Sequence, residues 1–292
     1  METRLGRIPS ACERPEPLKF ACPLILLPEL FTTAHHLAVS RGYFASIGWE
    51  VFAPDLRSPA PATPGDSTAS GGQAHGFERL AALLSEALTA LGRGAIVVGH
   101  GLGGLLALHA VGHPQVKAAV ALAPMLPHFR SPLVMNVANW PARWIGGALR
   151  PPRGAVLFHL LADAEPFARE ALIRALVADD ARAALDVVRG NIALDEFAAP
   201  GGAAHTVPRL IVAGESDPFA PLEKTREFAE RIGTAVRVVR GRGHWLIGGR
   251  ALERTVAEVQ RFLVRSLGGD LLLLYSEQWQ GADDEPADES ED

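Results

Sequence analysis

The sequence is poor in cysteine, with Cys12 and Cys22 the two it has among 292 residues. Two are too few for a disulfide framework, and their spacing matches no zinc pattern. Cys22 lies in an apolar run and reads as a small buried side chain. A reducing, cytoplasmic setting is expected. An excess of basic charge is missing too: 28 Lys and Arg stand against 33 Asp and Glu, for a net charge of -5. Nucleic-acid binding needs a positive field to displace counterions from phosphates, so no nucleic-acid partner is expected. No apolar run approaches the ~20 residues that span a bilayer. Residues 1–19 are charged and proline-rich and lack the apolar stretch of a signal peptide. No phosphate-binding loop or dinucleotide fingerprint occurs, and no cofactor is expected.

What is present is ordinary globular material. Hydrophobic residues make up 48% and charged ones 21%, enough for a sizeable core in one large domain. Apolar, β-branched stretches at 20–27, 50–52, 95–98, 116–122, 209–212 and 235–239 read as strands. Helical spacing falls between them at 34–47, 77–91, 105–111, 221–232 and 252–266. Gly48 and Gly92 are helix stops, since glycine adopts positive φ freely. Such alternation predicts a parallel sheet with helices on both faces and a crevice at the carboxyl ends of the strands.

The alternation breaks between 124 and 206, where helical patterns at 165–176 and 180–189 accompany Trp140 and Trp144. This reads as a helical lid. The expected organisation is an N-terminal extension (1–17), a core (18–123 and 207–268), the lid (124–206) and a C-terminal extension (269–292). That extension ends in an acidic, disordered tail from 281. The short apolar run 271–275 packs on the domain or meets a protein partner.

Three stretches at strand ends carry the chemistry. Gly99-His100-Gly101-Leu102-Gly103 follows the strand at 95–98. Asp217 follows the strand at 209–212, and His244 lies between the last strand and the last helix. A sharp strand-to-helix turn of the form Gly-x-Ser-x-Gly presents a nucleophile, with an acid and then a histidine later in the chain. Residues 19–267 resemble the α/β-hydrolase superfamily in its Gly-His-Ser-Leu-Gly-Gly form, with Gly101 at the serine's position. The resemblance implies an α/β-hydrolase fold, with Asp217 orienting His244 as general base. It also implies an oxyanion hole made from the N–H of Leu102 and that of Leu30 or Phe31. Pro28-Glu29-Leu30-Phe31 is similar to the dienelactone hydrolase branch, where the glutamate lies beside a cysteine nucleophile. No cysteine stands at 101.

Glycine cannot form an acyl-enzyme. Three functions remain open. One is conversion of a small carbonyl- or ester-type molecule by His244–Asp217 acid–base chemistry, lyase-, cyclase- or isomerase-like, with Glu29 as a second acid–base group. The second is a non-catalytic binder or scaffold. The third is a serine ester hydrolase inactivated by Ser→Gly at 101, with a residual rate from its oxyanion hole. The ligand is expected between the strand ends and the lid, near Trp140, Trp144 and Trp245. His35 and His36 are read as helix-face residues, since no third ligand is spaced for zinc.

Overall fold

A computed structural model of the chain describes residues 1–57, 76–135, 148–192 and 207–280, with side chains as far as 268. An eight-stranded sheet organises the molecule. Its parallel part runs from β4 (Val51–Pro54) through β3 (Leu24–Leu27), β5 (Ala95–His100), β6 (Val116–Leu122) and β9 (Arg209–Gly214) to β10 (Ala235–Val239). Beyond β4 it continues into β2 (Ile8–Glu13) and β1 (Glu2–Leu5), for the order β1-β2-β4-β3-β5-β6-β9-β10. Every residue of β3, β4 and β5 is buried, as continuous apolar strands covered on both faces should be. The mostly parallel sheet with flanking helices is therefore as expected.

The helices sort to two sides. α2 (Phe77–Leu91), α3 (Leu102–His109) and α8 (Leu222–Arg231) pack Leu80, Leu84, Leu105 and Phe228 into one core. α1 (Ala38–Ser46) and α9 (Leu252–Gln280) pack Phe44, Val256 and Leu263 into the other. α2 has the expected bounds, closed by Gly92 at φ 72°.

Several elements differ from the sequence reading; α1, for one, starts at Ala38 rather than 34 and leaves His35 and His36 in the turn before it. Three others differ as well. First, residues 2–13, within the expected N-terminal extension, join the sheet. β1 and β2 form a hairpin, and β2 pairs antiparallel with β4. Gly6, at φ 59°, makes its turn. Ile8, Ser10 and Cys12 point inward and alternate with more exposed residues, the period-2 pattern of a half-buried strand. Second, β3 starts at Leu24 rather than 20, directly after Pro23, which has no N–H for a ladder. Third, α9 runs on to Gln280, so the apolar run 271–275 continues a helix.

Between β6 and β9 the described residues form α4 (Pro132–Met135), the two-residue strands β7 (Ala148–Leu149) and β8 (Asp179–Asp180), α5 (Gly154–Leu160), α6 (Pro166–Arg174) and α7 (Ala181–Arg189). Asp180 caps α7 by accepting from the Arg182 N–H. Trp140, Trp144 and the tail from 281 lie outside the described residues.

Candidate functional site

The carboxyl ends of β3, β5, β9 and β10 bring together Glu29, Gly101, Asp217 and His244, in keeping with where parallel sheets bind ligands. Gly101 is the turn between β5 and α3, with φ 54°. Gly103 lets the turn close down on β3, since a Cβ there would stand 2.6 Å from the Leu27 and Pro28 carbonyl oxygens.

Asp217 and His244 meet as the sequence predicts. His244 Nδ1 lies 2.8 Å from Asp217 Oδ2. The other oxygen, Oδ1, accepts from the N–H of Phe219 (2.7 Å) and Ala220 (3.1 Å). The acid is thus fixed in orientation and holds the ring in turn.

Glu29 is where the geometry departs from that of a serine hydrolase. Its side chain is 1% exposed. Oε1 accepts from the Leu30 N–H at 2.5 Å and the Leu102 N–H at 3.0 Å. Oε2 lies 3.0 Å from His244 Nε2. A Cβ built on Gly101 would overlap Oε2. One carboxylate therefore fills both the expected oxyanion hole and the space a nucleophile's side chain would occupy. Gly101 and Glu29 are sterically a matched pair, because any larger residue at 101 meets this carboxylate. Phe31, the other candidate for the hole, faces elsewhere: its N–H donates to Asp179 Oδ2 at 3.0 Å.

The electrostatics follow. Burial alone would discharge His244, but Asp217 on one nitrogen and Glu29 on the other carry its pKa from 6.5 up to about 10. Burial would likewise raise Asp217, yet His244 and two backbone N–H donors hold it below its ordinary value. The centre is a buried row of Asp217, His244 and Glu29 in which the two acids favour a protonated His244. In its protonated form His244 donates from both nitrogens, to Asp217 and to Glu29. His100, under the turn, has the opposite fate. Burial, then the charge on His244, push its pKa down to about 4. Its Nε2–H donates to the His244 carbonyl at 2.8 Å, and its Nδ1 has no partner among the described residues.

The other candidates scatter. Trp245 is 1% exposed and stands edge-on to His100 and His36. It is not among the residues lining the cavity beside Glu29. His36 is buried, accepts from the Thr33 N–H and donates to the Leu172 carbonyl. Glu29, His100 and His244 offer ligand atoms within 4.8 Å of one another, the one such trio among the described residues. A metal there would have to displace the proton between His244 and Glu29.

Beside Glu29 lies a cavity of about 30 Å³, lined by Thr32, Leu56, Arg57, Leu102, Leu106 and Asp179 among others. That exceeds the ~10–15 Å³ that one water needs. Sequence reasoning missed Asp179 and Asp163, whose carboxylates bond the backbone N–H groups of Phe31 and Gly243. Nothing in their local sequence marks them, because those partners lie 148 and 80 residues away.

Comparison with known proteins agrees with this frame. The model of the alpha/beta hydrolase family matches residues 28–258. Among solved structures, a monoacylglycerol lipase from Paleococcus ferrophilus is similar at 18% identity and TM-score 0.63, covering 89% of this chain and 99% of its own. A structure from a study of carboxylesterases of Nitrososphaera gargenis is similar at 20% identity and TM-score 0.60, covering 90% and 96%. A thermophilic esterase from Thermogutta terrifontis follows at 15% identity and TM-score 0.60, covering 89% and 94%. At these identities the likeness is one of fold. No curated protein matches the chain.

Proposed function

The chain belongs to the alpha/beta hydrolase family, and we propose that it is a non-hydrolysing member of it, a binding or scaffolding protein whose catalytic centre is occupied from within by Glu29. One observation carries this reading. The Glu29 carboxylate takes both oxyanion-hole donors and the second nitrogen of His244, in the space a nucleophile would need. A hole that is filled offers nothing to the oxygen of a tetrahedral intermediate. The residual hydrolysis that a broken triad retains through an open hole is therefore not expected either. The matched Gly101–Glu29 pair also speaks against a serine enzyme altered at 101 alone. A binding role would fall to the surface, including the long α9 and the region between β6 and β9.

The test is hydrolysis of short aryl esters by the wild-type chain, by Gly101→Ser, and by Gly101→Ser combined with Glu29→Gly. The first two should be inactive and the double variant active through His244. If the single Gly101→Ser variant matched the double one, Glu29 would not be holding the centre closed.

A second reading is favoured by the charge on the row. Burying three ionisable groups where apolar ones would pack more cheaply suits a centre that moves protons. In it Glu29, which borders the cavity, exchanges a proton with a small carbonyl-type ligand without an acyl intermediate. Turnover of a bound ligand that is lost in both Glu29→Gln and His244→Ala would establish this reading and remove the first.

A further inference from the structure

Two loops must stay in register for Glu29 to reach His244. One follows β3 and carries Glu29. The other follows β10 and carries His244. Both are gripped from the segment between β6 and β9, at the residues flanking the pair.

Asp179, in β8, accepts from the Phe31 N–H at 3.0 Å. The neighbouring Val177 N–H donates to the Phe31 carbonyl at 2.9 Å. Phe31 is thus held by both its backbone groups, and it needs to be. Its φ is 68°, a left-handed conformation that costs a non-glycine residue energy and persists only when the surroundings fix it. Arg57 stands 3.7 Å from Asp179 Oδ2 and keeps the carboxylate facing the loop. On the other side, Asp163 is 4% exposed and its Oδ2 accepts from the Gly243 N–H at 2.6 Å. Its carbonyl accepts from the Arg250 N–H, and Arg242 lies 3.5 Å from its Oδ1. Each loop therefore has an aspartate on a backbone N–H, one or two residues from Glu29 or His244, and an arginine beside that aspartate. A third tie joins the same regions, from His36 Nε2–H to the Leu172 carbonyl.

We propose that Asp179 and Asp163 are positioning residues: from the segment between β6 and β9 they clamp the Glu29 loop and the His244 loop together, and so set the Glu29–His244 contact. Neither touches Glu29 or His244 itself. The clamp acts whether or not the pair turns a ligand over, so its failure would leave the functional reading standing.

The test uses the full chain and a readout that a purely structural role would not move, the titration of the His244 ring followed by nitrogen NMR. Asp179→Ala frees the Phe31 N–H and lets Glu29 withdraw. The His244 midpoint should then fall by about one pH unit or more, as for loss of one nearby opposite charge. Asp179→Asn keeps an acceptor for Phe31 and should restore most of the wild-type value. Asp163→Ala should act in the same direction through Gly243. A folded Asp179→Ala chain with an unchanged midpoint would overturn the proposal. If the alanine variants do not fold, amide hydrogen exchange of the wild-type chain decides the matter. The Phe31 and Gly243 amides should be protected like those of the central strands, and exchange as fast as exposed loop amides would overturn the clamp.

Discussion

Replacing Glu29 by glutamine tests the charge row at its most exposed premise. The new amide oxygen can still accept from the Leu30 and Leu102 N–H groups, but its NH₂ then stands where Oε2 of Glu29 now faces His244. Two donors facing each other are unfavourable, so His244 holds its Nε2 proton less tightly. In the wild-type chain the His244 pKa rises from 6.5 to about 10 on folding. Between those values the folded state binds a proton that the unfolded chain does not. Stability is fully present below 6.5 and is lost as pH rises through about 10. At about 1.4 kcal/mol per pH unit, the loss across the window is ~5 kcal/mol as an upper bound. Removing one of the two carboxylate charges should lower the folded pKa by ~1–3 units, shortening the window by about 1.4 kcal/mol for each. Urea unfolding at pH 6.5, 8 and 9.5 reads this directly. Cys12, whose pKa burial also raises, contributes equally to both chains and cancels in the difference. A wild-type stability that is flat from pH 6.5 to 9.5, or a Glu29→Gln chain with the same slope, would refute the row.

Gly101→Ala should destabilise strongly for its size. Its Cβ would overlap Glu29 Oε2 on a backbone at φ 54°, adding ~1–2 kcal/mol for the left-handed conformation and ~1–3 kcal/mol for each N–H that Glu29 must abandon. Combining it with Glu29→Ala should cost less than the sum of the two single changes, read by denaturant unfolding as a double-mutant cycle. Below pH 6.5 the dependence should reverse, because His100 stays neutral in the folded chain down to about 4. The unfolded state then binds the extra proton, and stability falls as pH drops from 6.5 toward 4 by up to ~3 kcal/mol. Replacing His100 with glutamine should flatten that limb.

The sheet and the turn at Gly101 were readable because each is local, while the Asp217–His244 pair was implied by the resemblance to the α/β-hydrolase superfamily. The strands are short apolar runs, the turn is a glycine cluster, and acid and histidine sit at strand ends in a fixed order. The direction in which Glu29 points was not readable. It depends on a space left by a glycine far along the chain and on an N–H from α3. The hairpin of β1 and β2 was hidden by charge and proline around it, although Ile8, Ser10 and Cys12 alternate inward as a strand should. Asp163 and Asp179 look like surface acids in sequence. Their work comes from partners that the fold delivers, Gly243 and Phe31. His244 itself was legible as a residue but not in its protonation state, which two carboxylates set together.

Nitrogen NMR of the His244 ring in the wild-type chain at pH 8 tests the central claim most directly. With Glu29 Oε2 on Nε2 and Asp217 Oδ2 on Nδ1, both ring nitrogens should carry protons and show imidazolium shifts. A neutral ring whose bare Nε2 takes part in no hydrogen bond at that pH would mean that Glu29 does not stand where a nucleophile would, and the account of a centre filled from within would be wrong.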